Sequence, residues 1–143
     1  MKWLLLFLLI SCGHKLTHYK SENFVKTWDY KFGPMSENQK DQFLDELKKV
    51  EEFYAEREIL PRFDTYLSSI ENEKELLAHA EFSMTDRFRK EKKRRAVESS
   101  REFQAYKEHH LKALAIKLKN EKEKRIMESI GEENYKDLLV ILK

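Results

Sequence analysis

Between Pro34 and Gly131 the chain contains no glycine and a single proline, Pro61. The remaining glycines, Gly13 and Gly33, lie at its start. Glycine and proline are the strongest punctuators of regular backbone, so a stretch this long without them favours few, long helices. Apolar residues recur in it at spacings of three and four, and no pair of alternating segments suggests a sheet. The expected class is therefore all-α, with an extended N-terminal tether leading into a long-helix hairpin or small helical bundle.

Helix boundaries can be proposed from the residues. Ser36-Glu37-Asn38-Gln39 forms a capping box, with Phe43, Leu47, Val50 and Tyr54 as the stripe that follows and Leu44 widening it. This helix is expected to reach about Leu60, where Pro61 ends or kinks it. A second stretch carries Phe63, Tyr66, Leu67, Ile70, Leu76, Leu77 and Ala80, with Asn72 as an interruption. Ser83 or Thr85 reads as the cap of a long third helix, and Asp86 suits its first turn. Val97, Phe103, Tyr106, His110, Leu111, Leu114 and Leu118 mark its expected buried side. Ile126, Met127 and Ile130 precede Gly131, after which Tyr135, Leu138, Leu139 and Leu142 form a short terminal helix.

The first residues carry a different signal. Lys2 precedes an apolar run from Trp3 to Ile10, and Ser11-Cys12 follows. The run is shorter than the roughly 20 residues that span a bilayer, and its layout is that of a secretory signal. Leu9-Ile10-Ser11-Cys12 resembles the lipobox of bacterial lipoproteins. That resemblance implies cleavage before Cys12, a lipid on its sulfur, an acylated (palmitate-bearing) new N-terminus and a body facing the periplasm. An ordinary signal peptide or an uncleaved signal anchor are the alternatives. In such lipoproteins an aspartate after the cysteine often marks inner-membrane retention; Gly13 stands there, which leans toward the outer membrane. Cys12 is the sole cysteine, so no disulfide is available and packing alone must hold the fold.

The chain thus divides into a signal peptide (1–11), a lipidated cysteine and tether (12–35), and a helical domain (36–143). Phe24, Trp28, Tyr30 and Phe32 crowd the tether. The alternation of Trp28, Tyr30 and Phe32 with Asp29 and Lys31 suits an extended segment, whose rings would dock on the body or sit at the headgroup boundary.

Charge is segregated. From Ser36 to Asp86 there are six basic and fourteen acidic residues; from Arg87 to Arg125 there are fifteen basic and six acidic. Antiparallel pairing of the two regions within one chain is the simplest use of this, and pairing between two chains the next. The densest stretch holds Arg87, Phe88, Arg89, Lys90, Lys92, Lys93, Arg94 and Arg95 around a lone Glu91. At about 100° per residue these cations surround a helix, which makes the stretch either a solvated bridge or a candidate partner-binding surface. Nucleic acid would be the first thought in a cytosolic protein; the signal peptide argues against it.

No Gly-rich phosphate loop, Gly-x-Ser-x-Gly elbow or His-Glu-x-x-His motif occurs, so neither catalytic residues nor a cofactor are expected. His14 and His18 are four apart but lack a third ligand, His109 and His110 are adjacent, and His79 stands alone, so no metal is expected. Met35-Ser36-Glu37-Asn38-Gln39 and Ile130-Gly131-Glu132-Glu133-Asn134 are similar to the helix-opening Leu-Thr-x-x-Gln motifs of the Spy/CpxP-like periplasmic proteins. The first has Met and Ser for Leu and Thr, and the second keeps neither Thr nor Gln. The resemblance implies a curved helical homodimer that binds unfolding clients on a basic, partly apolar face, placing Arg87–Arg95 in that role. The expected function is non-enzymatic protein binding, as a chaperone-like or envelope-stress adaptor. A structural lipoprotein docked on one specific envelope partner is the alternative.

Overall fold

The computed structural model describes residues 20–92 and 100–143. Among them every regular element is helical: α1 (described over residues 20–32), α2 (Glu37–Glu56), α3 (Leu60–Lys92), α4 (Ser100–Ile130) and α5 (Glu132–Leu142). The fold is all-α. The chain forms two compact units, one comprising residues up to Leu67 with Met127–Lys143, the other Ser68–Ile126.

Residues 20–32 correct the expected extended segment. The period-2 pattern of Trp28, Tyr30 and Phe32 is overridden by a second spacing: Phe24, Trp28 and Phe32 recur every four residues and meet as tilted ring pairs along one side of α1. Phe24 and Trp28 also meet Phe43 of α2. Tyr30 is left outside, 91 % exposed. Ser21 and Val25, one turn apart, are buried, and the Ser21 hydroxyl donates to the buried Glu51 carboxylate. Gly33, at φ +89°, ends the helix with its N–H donating to the Asp29 carbonyl at 3.1 Å. The Asp29 carboxylate then accepts from the Lys40 ammonium at 3.1 Å, and this hydrogen bond holds the lysine above its usual pKa.

The capping box at Ser36 forms as expected, with Ser36 Oγ accepting from Gln39 N and Gln39 Oε1 accepting from Ser36 N. α2 stops at Glu56, earlier than Leu60. Glu58 takes a left-handed φ of +57°, Ile59 N donates to Tyr54 O and Glu58 N to Ala55 O. These are the two bonds of a Schellman motif. Pro61 therefore neither ends nor kinks a helix; it sits in the first turn of α3, where a missing N–H costs nothing.

α3 runs unbroken through Asn72, Ser83 and Thr85, correcting the expected interruption and cap. Thr85 Oγ1 donates back to Glu81 O at 2.9 Å, so the would-be cap is satisfied inside the helix. Gly131, at φ +88°, separates α4 from α5, and Asn134 Nδ2 donates to the Ile130 carbonyl there.

In the first unit α5 packs on α2. Leu138 is buried, and Arg57 reaches Asp137 at 3.0 Å while lying over the Phe53 ring. Val25, Leu47, Val50, Phe53, Tyr54, Phe63, Tyr66, Leu67, Ile130 and Leu138 form the core. Tyr54 is at its centre, ring-to-ring with Phe53, Phe63 and Tyr66. The Tyr54 hydroxyl is buried with no hydrogen-bond partner among the described residues. Burial pushes both Tyr54 and Tyr66 well above the ordinary phenol pKa.

Candidate functional site

The second unit is an antiparallel pair, α3 from Ser68 against α4 up to Ile126. Charge segregation is used here as expected within one chain: acidic α3 meets basic α4 through Glu73–Lys122 and through Glu81–Lys107 at 3.4 Å. Farther along, Phe88 and Phe103 stack with centroids 3.9 Å apart.

Two helices alone cannot enclose a core, because each has only one neighbour to bury a stripe against. Among the described residues of this unit only Leu118 and Ile126 are buried apolar side chains. The seam between the helices tapers. Where Leu76 and Leu118 meet, the cavity is about 10 Å³. Ala78 and Ala115, too small to fill the space between helices, line a recess of about 360 Å³. Beyond it lies a recess of about 410 Å³ between Met84, Arg87, Phe88 and Glu91 of α3 and Glu102, Phe103 and Tyr106 of α4.

This last recess is the candidate site. Its floor is the Phe88–Phe103 stack, and its rim carries Arg87 and two carboxylates. Such a lining can take an apolar side chain or short apolar segment while charges on the rim set its orientation. Of the sequence-proposed residues, Arg87 and Phe88 line it. Arg89 and Lys90 are exposed, and Lys90 pairs with Asp86 at 2.8 Å. Lys92 closes α3. Lys93, Arg94, Arg95 and Val97 lie outside the described residues, as do Cys12, the signal peptide, His14 and His18.

Glu91, Glu102, Met84 and Phe103 were not singled out as site residues by the sequence. Which residue of α4 faces Phe88 depends on the register of the helix pair, which has no local sequence signal. Two residues assigned to the buried side of α4 are also corrected: Tyr106 is 55 % exposed and His110 is exposed, their rings 4.1 Å apart. The covered face of α4 is narrower than the spacing alone implies and is centred on Phe103, Leu111, Leu114 and Leu118.

Among the described residues no group of three or more His, Cys, Asp or Glu is arranged to hold a metal ion. No described helix is long and apolar enough to cross a membrane. No protein-family model, curated protein or solved structure matches this chain.

Proposed function

We propose that the chain is a lipid-anchored bacterial envelope protein, held at the membrane through Cys12 with its body in the periplasm, that works by non-enzymatic protein binding in a chaperone-like or adaptor role. The observation that carries the binding half is the open, aromatic-floored seam of the second unit. A surface that leaves Phe82 69 % exposed, with Tyr106 also in solvent, and keeps a recess of about 410 Å³ between charged rims is under-packed for a purely structural hairpin. The Cys12-anchored half is supported by the Leu9-Ile10-Ser11-Cys12 sequence and the apolar run before it.

In this reading an exposed apolar segment of a client inserts over the Phe88–Phe103 stack, and Arg87 and its neighbouring cations engage acidic residues beside that segment. Affinity is modest and salt-sensitive, because rim charges are screened within about 8 Å at physiological ionic strength.

The test is suppression of aggregation of a chemically unfolded client by the processed chain. Suppression is expected, weakening with salt, with Phe103→Ser and with charge reversal at Arg94 and Arg95; no suppression removes the reading. Crosslinking in the native envelope separates this from docking on one fixed partner. Many captured proteins support the chaperone-like form, and a single stoichiometric partner supports the assembly form. Mass spectrometry of the N-terminal peptide tests the lipid on Cys12.

A further inference from the structure

Acidic side chains of α3 are matched with cations along the helix: Glu73 with Lys122, Glu81 with Lys107 and Asp86 with Lys90. At the recess floored by Phe88 and Phe103 the pattern stops. Glu91 of α3 and Glu102 of α4 line it from the two helices, both exposed. Among the described residues neither is in an ion pair. Cations are not scarce there. Arg87 stands one turn before Glu91, at the spacing that joins Asp86 to Lys90, and Arg101 adjoins Glu102.

The setting of these carboxylates selects among cations. Met84, Phe88, Phe103 and Tyr106 line the same recess of about 410 Å³. A guanidinium is flat, weakly hydrated and stacks on aromatic rings; it can reach two carboxylates at once, and its aliphatic stem packs on apolar surface. An ammonium is more strongly hydrated and has no flat face. The surrounding cations add the opposite condition. Arg87, Arg89 and Lys90 are exposed. They repel a segment that is basic throughout and attract acidic residues at its flanks.

We propose that the recess takes the side chain of a single arginine carried on an otherwise acidic segment of the bound protein. The arginine stem lies on the Phe88–Phe103 floor, its guanidinium between Glu91 and Glu102, and its acidic neighbours against Arg87 and Arg89. Glu91 and Glu102 thereby set which side chain enters, while the basic rim sets what flanks it. The inference rests on the protein-binding reading and names the chemistry of the segment that the seam accepts.

The experiment uses the processed chain, residues 12–143, carrying Cys12→Ser. Its probes are fluorescein-labelled acidic peptides whose one central residue is arginine, lysine, leucine or glutamate, followed by fluorescence anisotropy. The arginine peptide is expected to bind at least about fivefold more tightly than the leucine peptide, with lysine between them and glutamate weakest. Glu91→Gln with Glu102→Gln is expected to erase the preference for arginine while leaving the leucine peptide bound. Arg87→Gln weakens all four peptides alike, and Glu52→Gln with Glu56→Gln on α2 changes nothing. Circular dichroism confirms that each variant stays helical. Leucine binding as tightly as arginine, an arginine preference that survives the paired glutamine substitutions, or no binding of any peptide overturns the proposal. Client-aggregation suppression, read through Phe103→Ser, is a separate measurement. Suppression without an arginine preference leaves the protein-binding reading standing and removes this inference alone.

Discussion

The two units share helices α3 and α4 but bury them differently. In the first, Phe63, Tyr66 and Leu67 at the start of α3 and Ile130 at the end of α4 enter a core also built from α1, α2 and α5. In the second, the same two helices have only each other. Leu118 and Ile126 are covered, while Leu76, Phe82, Tyr106 and Ile116 remain in solvent. The second unit is poorer in aromatics, with Phe82, Phe88, Phe103 and Tyr106 as its only ones, and its helices also have fewer neighbours. Buried side chains collect where several faces converge, and exposed apolar ones collect where they do not.

The contrast can be broken most directly by truncating matched aromatics. Phe63→Ala, at a fully buried site, is expected to cost about 3–5 kcal/mol in urea unfolding, and Phe82→Ala to change stability by no more than about 0.5 kcal/mol. Comparable losses would mean that the second unit is as closely packed as the first. Ser21→Ala removes a donor from the buried Glu51 carboxylate and is expected to cost about 2 kcal/mol. If that hydrogen bond holds α1 to α2, amide exchange in α1 should be faster in the variant than in the parent chain; an unchanged rate would show that other contacts hold it.

Smaller effects sharpen the picture of the first unit. Gly131→Ala forces a side chain into a φ of +88°, with open space around it, and is expected to cost about 1 kcal/mol from backbone strain alone. The converse, Glu58→Gly at φ +57°, should stabilise by about the same amount. Tyr54→Phe removes a buried hydroxyl with no described partner and is expected to be neutral or stabilising by about 1 kcal/mol.

The tyrosines also set an alkaline limit. Their pKa values are raised in the folded state by burial. The unfolded chain therefore releases its phenol protons first as pH rises, and full stability below about pH 10 is lost above it. Tyr54→Phe should soften that loss, as measured by denaturation across pH 9–11; an unchanged alkaline transition would assign it to other groups.

Local chemistry was readable from the residues. The Ser36 capping box, the all-α class, the Gly131 break and the short terminal helix each follow from a few neighbouring positions, where backbone hydrogen bonding and φ preferences act over one turn. Readings that required choosing between two local signals failed. Ser83 and Thr85 look like caps, yet the helix passes through them because nothing around them breaks it. The alternation at Trp28–Phe32 looks extended, yet the four-residue spacing of Phe24, Trp28 and Phe32 wins once Phe43 offers a surface to pack on.

The candidate site was half visible. Arg87 and Phe88 stand out as a basic run with one aromatic, while Phe103, Glu91 and Glu102 join them only through helix pairing. Periodicity and punctuation, being properties of neighbours along the chain, suffice to say that this protein is made of helices and roughly where they turn. Which residues a helix hides and which it offers depends on what lies across from it, many residues away. That is why Tyr106 could be placed on a helix from its spacing, but only the position of α3 put it in solvent.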